Sequence, residues 1–166
     1  MKEVKKMSGQ AMAAKEIRAY MKANGIVGSV RSESFSMGDS VNVSVVDLLP
    51  EAYKALSEFA RKFQYGRFNG MEDIYEYDNY VSGAAQSKYV FVGNEMSNEM
   101  AQKIYEYACG YFAGMENAPA SYKDAYNFRN ENFGKYAGDL VRGLFNGGDY
   151  NNQYYDYLNS LEQLAA

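Results

Sequence analysis

The chain has 166 residues, 47% of them hydrophobic and 23% charged, with 17 Tyr, 9 Phe, one Cys and neither Trp nor His. The missing His removes the commonest general base, the commonest zinc ligand and every Ser-His or Cys-His mechanism. A lone Cys excludes an internal disulfide, and no run approaches the roughly 18 apolar residues of a membrane span.

Net charge is −4 but unevenly spread: residues 1–67 hold 11 Lys/Arg against 7 Asp/Glu, and residues 68–166 hold 6 against 14. Such asymmetry marks a basic face for nucleic acid, an acidic face for a basic partner, or two solvated surfaces of opposite sign. Met1-Lys-Glu-Val-Lys-Lys6 leads into no apolar segment. No signal peptide is expected, and the cytoplasm is the expected location.

The first element is a helix over about 10–23, capped by Ser8 and stopped by Asn24-Gly25. Ala14, Ile17 and Met21 form its apolar stripe, and Lys15, Arg18 and Lys22 a basic flank. Gly28 to Val46 then reads as two strands folded back through Ser36-Met-Gly-Asp-Ser40. Val41, Val43 and Val45 repeat at period two, so one face of the second strand is buried. The first strand carries Ser29, Ser32, Ser34 and Ser36 around Arg31, with Phe35 near the turn.

Pro50 suits the first position of a second helix that ends near Gln64, with Ala52, Leu56, Phe59 and Phe63 as its stripe. Residues 65–71 read as a loop with two glycines. Residues 73–79 and 88–92 read as strands joined by a hairpin loop, Ser82-Gly-Ala-Ala-Gln-Ser87. Ser97 caps a third helix through about residue 113, with Met100, Ile104, Ala108 and Tyr111 inward and Cys109 as a buried, inert thiol. One or two helices cover 122–145, opened by the capping-box-like Ser121-Tyr-Lys-Asp124 and striped by Phe133, Ala137, Leu140, Val141 and Leu144. Asn146-Gly-Gly148 breaks the chain before a last helix over roughly 150–164, striped by Tyr154, Leu158 and Leu161.

Strands followed by helices predict an α+β protein with an antiparallel four-stranded sheet, in the order α-β-β-α-β-β, and a helical C-terminal region. Residues 1–94 form the α+β domain with the Ser-rich hairpin. Residues 95–166 form a Tyr-rich, acidic helical extension expected to pack on the first part as one compact unit.

The first half also resembles a known family. Ala14-Lys-Glu-Ile-Arg18, the hairpin segment from Ser29 to Val43, and Phe68-Asn-Gly-Met-Glu-Asp-Ile-Tyr75 look like a large polyvalent protein associated domain of phages and conjugative elements. The resemblance spans about residues 11–92 and implies a mobile genetic element, hence the cytoplasm of a bacterial host. It implies no reaction. By association, it points to an inhibitor of anti-CRISPR or anti-restriction type.

Two binding surfaces compete. For a host protein or nucleoprotein complex, the candidates are Asp149, Tyr150, Tyr154, Tyr155, Asp156 and Tyr157, because Tyr supplies interface area at low entropic cost and acids suit basic grooves. For nucleic acid, the alternative, they are Lys15, Arg18, Lys22, Arg31, Ser32 and Ser34 as phosphate contacts and Phe35 as a stacking ring, with Asp39 of the turn named beside them. Glu72/Asp73 and Glu76/Asp78 are carboxylate pairs of the kind that binds Mg²⁺, but beside a strand they read as solvated edge charges. No catalytic residue, metal or cofactor is expected. A homodimer by sheet-edge pairing is the other association the pattern admits.

Overall fold

The computed structural model describes residues 7–112, 114–130 and 134–147. Backbone contacts divide the chain into two units, Met1–Glu95 and Met96–Ala166. The expected helix over 150–164, and Phe133 of the preceding stripe, lie outside the described residues.

In the first unit, helix α1 (Gly9–Ala23) leads into hairpin β1 (Gly28–Phe35) and β2 (Gly38–Val46). Helix α2 (Pro50–Arg61) follows, then the short ribbon β3 (Gly66–Asn69) and β4 (Ile74–Tyr77), then β5 (Tyr89–Glu95). Ser8 occupies the N-cap of α1 without a side-chain capping bond, and Gly25, at φ 66°, lets the chain turn out of the helix. Pro50 stands at the start of α2, where its missing N–H has no helical partner to lose.

The class is α+β, as the pattern predicts, but the sheet differs from the expected antiparallel four strands. Its order is β1-β2-β5, with β1 antiparallel and β5 parallel to β2, while β3 and β4 pair only with each other. A parallel neighbour requires a crossover, and α2 supplies it between β2 and β5. The segment read as a loop over 65–71 contains strand β3. Gly66 explains this, because a Cβ there would run into the Glu76 carbonyl and the Tyr75 ring across the ribbon.

The core lies on one side of the sheet. Val30, Val41, Val43, Val45 and Val90 are buried against Ala13, Ala14, Ile17 and Met21 of α1 and Leu56 and Ala60 of α2. Tyr20 stacks on Phe59 at 4.1 Å, tying the two helices together.

In the second unit, α3 (Asn98–Tyr111) is capped by Ser97, whose Oγ accepts from the Met100 N–H at 3.1 Å. The inward stripe is Ala101, Ile104, Tyr105 and Ala108. Met100 is half-buried and Tyr111 exposed rather than inward, and Cys109 is half-buried rather than fully enclosed. The expected helix or two over 122–145 is a single turn, α4 (Tyr122–Ala125), then a two-residue ribbon, β6 (Arg129–Asn130) and β7 (Lys135–Tyr136), then α5 (Ala137–Phe145). Ser121 makes no side-chain capping bond. Gly138 is required inside α5, because a Cβ there would lie 2.6 Å from the Tyr126 ring. No described helix is long and apolar enough to cross a membrane.

Candidate interaction surface

Strand alternation sorts the hairpin into two faces. Val30, Ser32 and Ser34 share the face that meets α1, whereas Ser29, Arg31, Glu33 and Phe35 stand on the opposite, outer face. The grouping of Arg31 with Ser32 and Ser34 is therefore split by the pleat. On the outer face β2 contributes Ser40, Asn42, Ser44 and Val46, and β5 contributes Tyr89, Phe91, Gly93 and Glu95.

Both helices of this unit pack on the inner face. The outer face carries a row of rings instead: Tyr89 stacks with Phe35 at 6.3 Å and with Phe91 at 5.9 Å. Phe35 is 48% exposed and Phe91 55%. Two phenyl rings left half in water on an ordered sheet make this face the candidate interaction surface.

The row continues into the β3–β4 ribbon. Tyr75 meets Tyr89 edge-on at 5.5 Å, and Tyr65 contacts Tyr75, Tyr77 and Tyr80 with ring centroids 6.2, 5.7 and 5.1 Å away. Lys88 lies over Tyr75 and Tyr89 at 4.9 and 5.5 Å, its ammonium donating to the Met37 carbonyl. The Tyr75 hydroxyl donates to the Lys88 carbonyl.

Burial pushes the Tyr65 and Tyr75 hydroxyls up to about 12, with neighbouring phenols, and Asp39 beside Tyr65, adding to the rise. A raised folded-state value favours the protonated form, so the corresponding stability is complete below pH 10 and is lost as pH rises towards 12. The melting temperature is therefore expected to fall across that interval together with the appearance of tyrosinate absorbance. Tyr65→Phe should flatten the fall; an unchanged profile contradicts the cluster's burial.

The remaining residues named from sequence divide by how they are used. The Asp39 carboxylate accepts from Ser87 Oγ and the Lys88 N–H, both at 2.8 Å, which latches the hairpin to the start of β5. Ser34 Oγ accepts from Gln10 Nε2, and Arg18 Nη2 donates to the Val30 carbonyl at 2.6 Å. Lys15 and Lys22 are exposed, and Arg31 is exposed with no hydrogen bond or ion pair from its guanidinium among the described residues. Asp149, Tyr150, Tyr154, Tyr155, Asp156 and Tyr157 lie outside the described residues.

Glu76 accepts from Asn69 at 2.7 Å and from Arg67 at 3.1 Å, which keeps its carboxyl below the usual range, and Asp78 lies 3.7 Å from Arg67. Among the described residues no cluster of three His, Cys, Asp or Glu side chains is placed to hold a metal ion.

Sequence reasoning named Phe35 and Arg31 but missed Tyr89, Phe91, Tyr75 and Lys88. The signal was in Lys88-Tyr-Val-Phe-Val92, where period two puts both rings opposite the two valines.

Comparison with known proteins bears on the same region. The family model of large polyvalent protein associated domain 29 matches residues 8–143. The chain belongs to this family. The match takes in α1, the hairpin, the aromatic ribbon and most of α5, so it extends well beyond the segment from 11 to 92 that carries the resemblance in sequence. The large polyvalent protein associated domains are associated with phages and other mobile elements. No curated protein and no solved structure matches the chain.

Proposed function

We propose that this large polyvalent protein associated domain is a non-enzymatic accessory protein of a phage or mobile element, and that it binds a host protein or nucleoprotein complex through the outer face of its sheet. The reading includes an inhibitory role of anti-CRISPR or anti-restriction type in the cytoplasm of a bacterial host. Supporting it is the aromatic row Phe35–Tyr89–Phe91 beside the unpaired Arg31 guanidinium, on a face that no described helix of its unit covers. Phe, Tyr, Met and Arg are the residue types enriched at protein interfaces, and Met37 of the hairpin turn is exposed as well.

Arg31→Glu tests the reading. An exposed substitution shifts stability little, so the melting temperature should move by no more than about 2 °C. Affinity capture from a host lysate should retain a defence protein or complex with the wild-type chain and lose it with the variant. Equal retention of the same proteins by both chains would refute a role for this face.

A further inference from the structure

The two edges of the three-stranded sheet differ. On the β5 side the Val90 N–H donates to Gln64 Oε1 at 2.9 Å and the Val92 carbonyl accepts from the Tyr53 hydroxyl at 2.8 Å. Just before β5, Ser87 exchanges backbone bonds with Phe63 and Tyr65. That edge is closed.

On the other side, β1 pairs with β2 in an uninterrupted register that closes on Phe35 and Gly38 across a two-residue turn. Such a turn makes its closing pair a hydrogen-bonded one. It follows that Ser29, Arg31, Glu33 and Phe35 bond to β2, while the N–H and C=O groups of Gly28, Val30, Ser32 and Ser34 point away from it. Among the described residues only the Val30 carbonyl of this outward row has a partner, Arg18. β1 carries no proline and no bulge. A row of free donors and acceptors of this kind is a template for another strand.

The surroundings select the occupant. The exposed basic flank of α1, Lys15, Arg18 and Lys22, runs beside this edge, as the Arg18 bond to Val30 shows, and Arg31 stands on the outer face of β1. Glu33 is the acid on that face of the strand. A cavity of about 300 Å³ lined by Arg18, Met21, Lys22, Ile26, Val27 and Val30 opens at the beginning of β1 and offers an apolar floor between two cations. A second copy of the chain would bring an identical basic flank against this one, and opposed like charges disfavour it.

We propose that β1 accepts an extended acidic segment of a partner protein as a fourth strand, its backbone bonding to Ser32 and its neighbours and its carboxylates, alternate along the strand, meeting the basic flank of α1.

The test is titration of the full chain against a fluorescein-labelled peptide of alternating Glu and Val, read by anisotropy. Saturable binding is expected, with the Lys/Val counterpart weaker by about tenfold or more, and Lys15→Glu/Lys22→Glu weakening the acidic peptide to a similar degree. Ser32→Pro deletes an outward N–H while leaving the bonds to β2, so it should abolish binding with the melt intact. If Ser32→Pro does not fold, the charge-reversed variant decides. Absence of saturation up to about 1 mM, equal binding of the Lys peptide, or equally effective displacement by single-stranded oligo(dT) overturns the proposal, the last because the site then reads anionic charge alone. A dimer in sedimentation that the peptide fails to dissociate overturns it in favour of a second copy.

Discussion

Leu56→Ala is expected to destabilise the first unit by about 2–5 kcal/mol, measured by chemical denaturation of the full chain. Leu56 has 0% exposure and lies in the core cluster with the valines of the sheet and the apolar stripe of α1. Truncation leaves a cavity in the core that α2 shares with α1 and the sheet. That core is one-sided, and among the described residues of this unit no second apolar layer backs the sheet to absorb the loss. A cost below about 1 kcal/mol would mean that α2 is not packed as described.

The double variant Phe35→Ala/Phe91→Ala should behave in the opposite way. Both rings are about half exposed and already pay for stacking on Tyr89 with apolar area left in water. Their removal should change folding stability by about 1 kcal/mol or less, the scale of lost aromatic pair contacts. Binding should suffer far more. Central aromatic anchors contribute about 2 kcal/mol or more each on truncation, which is roughly thirtyfold in affinity per ring. Titration of the captured partner against both chains, beside their melting curves, separates the two effects. A variant that binds like wild type shows that the rings are bystanders, and one that melts early shows that they are structural.

The contrast between these two residue sets follows from the period of the strands, and much of it was legible without coordinates. Alternating valines fixed which face of β2 is inside, and the spacing of Leu56, Phe59 and Phe63 identified a helix that packs on the same side of the sheet. Ends were legible where local chemistry sets them, as at Pro50, Ser97 and Asn24-Gly25. Pairing was not. Whether β5 joins β2 or β4 depends on a crossover and on the Asp39 latch to Ser87, a contact 48 residues apart that leaves no local signature. Asp39 and Ser34 looked available for a ligand for the same reason, since their partners are distant in sequence. The short ribbons β3–β4 and β6–β7 were equally hidden, because two to four residues give too little period to read. The aromatic row was hidden differently. Tyr89 and Phe91 were visible as strand-forming residues, and only the packing of both helices on the other face turns them into a surface.

Site-specific photo-crosslinking tests the outer face most directly. A benzoylphenylalanine at position 91, in place of a half-exposed ring on that face, is compared with one at position 55, an exposed site on α2. Expressed in a bacterial host and irradiated, the chain should form a discrete adduct with a host protein from position 91 and none of that mass from position 55. An adduct from position 55 with none from position 91 would place the partner elsewhere and contradict the proposed interaction surface.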